Sequence, residues 1–477
     1  MTAEKTDEYD LIMLGGGPVG ENVADRAVQD GLTAIIVESE LVGGECSYWA
    51  CMPSKALLRS GQALRAAQNV KGAAEAVTGK LDVRAVFDRR DSFTSHWSDD
   101  GQVKWLDSAG IDLARGHGRL SGEREVTVTD ADGGTRVIRA RHAVAISTGS
   151  DAVIPPIDGL REASPWTSRE ATSAEELPES LAVIGGGVVA VEMATAYAAL
   201  GSTVTMIARS GLLGTMEPFA GERVAAGLRE LGVDVRTDTG TTRVTRGDDG
   251  VTIVLDDDST VTATEVLVAT GRSPRSGDVG LDVVGLEPGR WITVDDTMRV
   301  PGSDWLYAVG DVNGRVLLTH QGKYQARAAG DVIAARAQGA DVDDEPWGKH
   351  VATADHAAAP QVTFSFPEVA SVGLTESQAR EAGIDVAAID YDLGGIAGAS
   401  LYEDGFEGQA RIVIDKTRDV IVGATFVGPE VAELVQTATV AIVGEVPIAR
   451  LWHAVPAYPT ISEIWLRLLE TYGRDSA

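Results

Sequence analysis

The chain has 477 residues, 44% hydrophobic and 23% charged, a balance that predicts globular cores and, at roughly 150 residues apiece, about three domains. Its formal net charge of −30 disfavours nucleic acid and anionic membranes as partners, because both demand a basic surface. Only two cysteines are present, too few for a disulfide-stapled secreted scaffold, and no apolar run of about 18 residues predicts a membrane span.

The first ten residues are polar and acidic and lack the basic-then-apolar order of a signal peptide, so the cytoplasm is the expected compartment. Leu11-Ile12-Met13-Leu14 reads as a buried strand, followed by Gly15-Gly16-Gly17-Pro18-Val19-Gly20, a helix to about residue 30, and a second strand over 33–37 that ends at Glu38. Three glycines in the G-x-G-x-x-G spacing, Gly15, Gly17 and Gly20, with an acid about 20 residues on, form a dinucleotide-binding fingerprint. Gly15 makes the turn, Gly17 lets the backbone approach a pyrophosphate, Gly20 permits close helix–strand packing, and Glu38 is placed for ribose hydroxyls.

Cys46 and Cys51 follow at once, preceded by Gly43-Gly44 and followed by Pro53-Ser54-Lys55. Free cysteine also packs as a small hydrophobe. Thiols kept only here, beside a nucleotide fingerprint, point instead to redox use. A disulfide requires Cα atoms about 4.4–6.8 Å apart, so this spacing near a helix start demands local irregularity, and the positive end of the following helix favours a thiolate.

Residues 97–110 read as a helix, and 151–159, with Pro155-Pro156, as a connection. A second fingerprint then appears. Ala182-Val183-Ile184 leads into Gly185, Gly187 and Ala190, a helix over 191–200 and a strand over 203–207 that ends in Ala208-Arg209. An acid at that place binds the 2′-hydroxyl of NAD, whereas Arg209 suits the 2′-phosphate of NADP; NADPH is the expected donor, with NADH as the alternative. Residues 242–255 read as a hairpin around Gly247-Asp248-Asp249-Gly250. Residues 431–443, apolar at helical spacing, read as a packed interface helix.

Two fingerprints with a cysteine pair after the first suggest a flavin and a nicotinamide feeding a dithiol, and the chain resembles the FAD-dependent pyridine nucleotide–disulfide oxidoreductases, the group of dihydrolipoamide dehydrogenase, glutathione reductase and mercuric reductase. The resemblance extends to Ser147-Thr148-Gly149-Ser150 and Ala269-Thr270-Gly271-Arg272, similar to the family's two strand-end turns, and to Tyr307-Ala308-Val309-Gly310-Asp311, similar to its second FAD motif. Phe366-Pro367-Glu368-Val369 resembles the start of its dimerisation domain, and Tyr458-Pro459-Thr460-Ile461-Ser462-Glu463 its C-terminal catalytic segment.

The resemblance implies an α/β protein with two Rossmann-like dinucleotide-binding domains and a C-terminal α+β dimerisation domain. FAD then occupies 1–150 and 273–348, NAD(P)H 151–272, and dimerisation uses 349–477 of a homodimer. It implies FAD contacts from Gly44, Thr148, Gly149, Gly310 and Asp311, a nicotinamide-side turn at Gly271, a flavin-proximal thiolate at Cys51, and an interchange thiol at Cys46. Lys55 is implied at the flavin, paired with Glu192. No metal is expected.

The chain departs from the family at its end. Tyr458 stands where the proton-exchanging histidine belongs, while Glu463 is retained. A tyrosine of ordinary pKa near 10 does not shuttle protons at neutral pH as imidazole does. His453, five residues earlier, is a substitute or a packing residue. Ser47-Tyr48-Trp49-Ala50 replaces the smaller residues common between the thiols. Mercury reduction in the family uses an extra cysteine pair near the C-terminus, and residues 471–477 contain none. The leading expectation is therefore NADPH-dependent reduction of a small-molecule disulfide, dihydrolipoamide dehydrogenase-like. A quinone reductase working directly from flavin and a low-activity flavin-bearing subunit of a complex are the alternatives.

Overall fold

The computed structural model describes residues 7–474. Positions 1–6, part of the stretch read for a targeting signal, and 475–477, part of the stretch read for a cysteine pair, lie outside the described residues. The chain forms two compact units, one from residues up to 53 with 91–152 and 272–355, the other from 54–90, 153–271 and 356 onward.

The first unit is built on a seven-stranded sheet. Its parallel part runs Ile111–Arg115, Ala34–Glu38, Asp7–Leu14 and Thr135–Ile146, with Leu306–Ala308 paired along the last. Thr135–Ile146 continues into an antiparallel meander with Glu125–Thr129 and His117–Gly122. Leu11 and Met13 face a core shared with Val23 and Ala27 of the helix Pro18–Gln29 and Ala326, Ala329 and Ile333 of the helix Thr319–Gln338. Ile12 and Leu14 face the opposite core with Leu120, Val126 and Val128. Burial on both faces explains the unbroken apolar run at 11–14. The expected helix at 97–110 is present as Asp100–Ala109, ended by Gly110 in the left-handed conformation.

The second unit repeats the parallel plan with Asp234–Arg236, Thr203–Ile207, Ser180–Ile184 and Glu265–Val268. The helix Val188–Leu200 against this sheet buries nine of its residues, so it is a core helix rather than an amphipathic surface one. The hairpin at 242–255 is present as Thr241–Gly247 and Gly250–Leu255. A separate five-stranded antiparallel sheet runs Gln361–Thr363, Glu368–Gly373, Val420–Gly428, Gln409–Asp415 and Val386–Asp392. The apolar stretch at 431–443 is a short 3₁₀ turn followed by the helix Val435–Val443, packed on Val420–Gly428.

Residues 54–90 pack in the second unit. The cause is apolar contact: Leu57, Leu58, Val86 and Phe87 share one core with Val191, Ala194 and Tyr197. No helix among the described residues is long and apolar enough to cross a membrane.

Candidate active site

In the first unit the fingerprint forms the floor of a cleft of about 620 Å³. Gly15 has φ of 102°, and a Cβ there would lie 2.4 Å from the Ser147 carbonyl oxygen, so only glycine fits the turn. A Cβ on Gly20 would lie 2.1 Å from the Gly15 oxygen, which keeps the helix close to the strand. Gly17 is the N-cap of Pro18–Gln29 with no side-chain cap. That leaves backbone N–H groups and the positive helix end open to an anion. Glu38 is fixed at its strand end, accepting from the Gly16 amide at 2.7 Å and the Glu40 amide at 2.7 Å. Gly44 lies against Gly17, where a Cβ would come within 2.9 Å of the Gly17 Cα. Thr148, Gly149 and Asp311 line the same cleft. Gly310 has φ of 80°. These groups suit a flavin dinucleotide: open amides for phosphates, carboxylates for hydroxyls, and apolar strand ends.

The two cysteines are thiols. Cys46 lies in the short helix Gly44–Tyr48 and lines the cleft; Cys51 begins the helix Cys51–Gln68. The break between these helices, at Trp49 and Ala50, supplies the irregularity the spacing demands. Cys51 Sγ lies 3.3 Å from Thr319 Oγ1. A hydrogen bond with Cys51 and burial push the Cys46 thiol well above its ordinary value, while Thr319 and Lys323 pull it back. Tyr48 is buried and packs edge-on against Trp49 with ring centroids 5.6 Å apart. It donates to the Val42 carbonyl at 3.0 Å, so both aromatics between the thiols brace this turn.

The second unit reproduces the glycine logic. Gly185 has φ of 137°, and its Cβ would meet the Ala269 oxygen at 2.2 Å. Gly187 is an uncapped N-cap of a 13-residue helix, and Ala190, in the first turn of that helix, is fully buried. Gly271, with φ of 146°, accepts from the Val153 amide through its carbonyl. Arg209 is exposed just past the strand Thr203–Ile207. Lys55 Nζ contacts Glu192 Oε2 at 2.7 Å. The Phe364 amide donates to Glu192 Oε1 at 3.0 Å, and the Phe364 ring lies 5.2 Å from the ammonium.

The C-terminal segment is not assembled as a base dyad within one chain. Tyr458 and His453 are exposed. Glu463 is buried, its Oε1 accepts from Arg467, and its Oε2 has no hydrogen-bond partner among the described residues.

Several residues that shape the first cleft were given no role of their own by the sequence reading. Ser150 donates to Asp311 Oδ2 at 2.6 Å, and Arg272 Nε donates to Ser150 Oγ at 2.6 Å. Arg275 joins Glu45, beside Cys46, and Asp151. Thr319 was missed with them. Ser150 and Arg272 end the two strand-end turns, but nothing local signals their pairing.

A family model described as pyridine nucleotide-disulphide oxidoreductase matches residues 9–339, and the model of that family's dimerisation domain matches 359–468. Mercuric reductase of Shigella flexneri is 31% identical over 475 residues, covering 98% of this chain and 81% of its own. Dihydrolipoyl dehydrogenase of Halobacterium salinarum is 31% identical over 476 residues, covering 97% and 95%. Among solved structures, the Cu(II) complex of the HOCl-induced flavoprotein disulfide reductase RclA from Escherichia coli superposes with a TM-score of 0.83 at 22% identity, covering 98% of this chain and 99% of that one.

Proposed function

The chain belongs to the pyridine nucleotide–disulphide oxidoreductases, flavoenzymes that use FAD and NAD(P)H, and from that premise we propose that it is an NADPH-dependent reductase of a small-molecule disulfide such as lipoamide. The observation that carries this reading is the position of Cys46 in the wall of the fingerprint cleft, with Cys51 held at Thr319 of the same cleft. A quinone acceptor needs neither thiol, so this placement favours the disulfide.

The residues proposed to hold FAD are Gly15, Gly17, Gly20, Glu38, Gly44, Thr148, Gly149, Gly310 and Asp311; those for NADPH are Gly185, Gly187, Ala190, Arg209 and Gly271. When bound, FAD supplies the passage of two electrons between nicotinamide and dithiol. The chain's own part is positioning and exchange. Lys55 and Glu192 fix the first turn of the Cys51–Gln68 helix. The Cys46 thiolate attacks a substrate sulfur, and Cys51 resolves the mixed disulfide. Residues 1–150 with 273–348, 151–272 and 349–477 are the proposed FAD, nicotinamide and dimerisation modules.

The test is Cys46→Ser in the flavin-loaded protein. NADPH-driven lipoamide reduction is expected to fall to background while NADPH oxidation by ferricyanide persists. Undiminished lipoamide reduction in that variant would sink the dithiol reading.

A further inference from the structure

A five-residue helix does not hold its own shape, since isolated helices below about 12–15 residues are marginal in water. The helix Gly44–Tyr48, which carries Cys46, is therefore placed by what it touches. At its entry the Gly43 amide donates to the Gly16 carbonyl at 2.8 Å. At its far end the Tyr48 hydroxyl donates to the Val42 carbonyl at 3.0 Å, and the Trp97 indole donates to the Tyr48 carbonyl at 3.1 Å. Between these ends lies Glu45, the neighbour of Cys46, whose Oε1 accepts from Arg275 Nη2 at 3.1 Å.

Arg275 is itself fixed. Its amide donates to the Gly149 carbonyl at 3.0 Å, and its carbonyl accepts from Thr148 Oγ1 at 2.6 Å. Its Nε donates to Asp151 Oδ1, and its Nη1 lies 3.9 Å from Glu40 Oε2. One guanidinium thus gathers Glu40, Glu45 and Asp151 from two separate segments of the first unit, and all four residues line the fingerprint cleft. An isolated exposed ion pair contributes little, and that is the ordinary reading of such a contact. This one differs in two respects. The Arg275 and Glu45 side chains are only 29% and 21% exposed, and three carboxylates converge that repel one another once the cation is removed. Cys46 and Cys51 hydrogen-bond across the helix break at Trp49 and Ala50. Thr319 Oγ1 meets the Cys51 side of that break at 3.3 Å; Arg275 holds the Cys46 side.

We propose that Arg275 is a positioning residue of the dithiol: through Glu45 it clamps the Cys46-bearing helix to the turn at 148–151 and keeps Cys46 within bonding reach of Cys51. This rests on the disulfide-reductase reading. Holding two reacting groups together raises their effective concentration, so the clamp favours closure of the pair. Closure joins Cys46 Sγ to Cys51 Sγ in one S–S bond and releases two electrons and two protons. A disulfide partner takes them up as its own S–S bond breaks and leaves as two thiols. Loss of the clamp leaves the chemistry unchanged and shifts the equilibrium toward the open dithiol.

The test equilibrates the flavin-loaded protein anaerobically with mixtures of oxidised and reduced dithiothreitol. Free thiols are trapped with N-ethylmaleimide, and the Cys46–Cys51 disulfide is counted by peptide mass spectrometry. Wild type is compared with Glu45→Ala, Arg275→Gln, the double variant and Arg275→Lys. Each of the first two is expected to lower the equilibrium constant for disulfide formation about tenfold, which is about 30 mV for a two-electron couple. The double variant should fall no further, because both substitutions remove the same contact. Arg275→Lys should recover part of the loss, since it keeps the charge without the fork. An unchanged constant in Glu45→Ala overturns the proposal, and it decides alone if Arg275→Gln does not retain flavin. Losses that simply add in the double variant overturn it too, because Arg275 and Glu45 would then act separately. Shifted constants in a protein that reduces no lipoamide with NADPH leave the clamp standing and remove the proposed activity. Lipoamide reduction with unshifted constants does the reverse.

Discussion

Arg209 is exposed at the end of its strand, and a charge-assisted hydrogen bond from such a guanidinium to a phosphate is worth about 1.5–3 kcal/mol. Arg209→Glu should therefore lower kcat/KM for NADPH by roughly 10–100-fold and spare NADH. Steady-state kinetics with both donors check this, and an unchanged preference would show that other groups read the 2′-phosphate. A second single-residue effect concerns stability. Burial pushes Glu368 up from 4.5 to about 7, with Glu430 and Glu433 adding to the rise and Arg59 and the Ala432 amide opposing it. The folded state then holds a proton that the unfolded state releases above pH 4.5, so the contribution of Glu368 to stability is lost as pH rises from about 4.5 to 7. Glu368→Gln should remove that slope and gain on the order of 3 kcal/mol at pH 8 relative to wild type; urea midpoints at pH 5 and 8 read the difference. At this scale the sequence discloses what backbone geometry demands. Gly15, Gly185 and Glu38 are legible because a turn, a close approach and a strand end each admit few residue types. Thr319 is not, because it meets Cys51 across 268 positions of chain and only the fold brings them together.

Elements are legible where one period dominates. The strand 11–14, the strand 203–207 and the hairpin at 242–255 follow from apolar runs and glycine punctuation; the structure places the last two within a residue or two, while the first strand begins four residues earlier, at Asp7. The grouping of 54–90 with the second unit was not legible, since an amphipathic helix announces that it has an apolar face but not which core receives it. The tie between the helix Cys51–Gln68 and the helix Val188–Leu200 is therefore worth testing as an element-level contact. Lys55 remains 38% exposed as a side chain while Glu192 is 4% exposed, so the desolvated partner is the carboxylate. Lys55→Met removes its counter-charge and, among the described residues, leaves the Phe364 amide on the other oxygen. The expected loss is about 1–3 kcal/mol, and a smaller one for Lys55→Met in a Glu192→Gln background, where no buried charge is stranded. Chemical denaturation of the four proteins closes the cycle. Equal costs in both backgrounds would show that the ion pair contributes nothing.

For the whole molecule, the balance is between apolar association and like charge. Within the region matched by the dimerisation model, Leu401, Val440, Val455 and Tyr458 are 72%, 58%, 85% and 76% exposed in the single chain, and burying each such side chain is worth about 1.5–3 kcal/mol. We propose that a second copy of the chain covers them. Each copy carries a net charge of −30, so two copies repel over a Debye length of about 10 Å at 0.1 M salt and about 30 Å at 0.01 M. An interface held by apolar burial against that repulsion must tighten as salt rises, because screening weakens only the opposing force. Sedimentation velocity of the wild-type protein should show the dimer dissociation constant falling between low and moderate ionic strength. Val440→Asp with Leu401→Asp should give monomers at micromolar concentration in both conditions, since each substitution removes apolar area and adds a charge that must be desolvated on association. A dissociation constant that rises with salt would instead assign the interface to ion pairs between protomers, and the two substitutions would then weaken it only slightly.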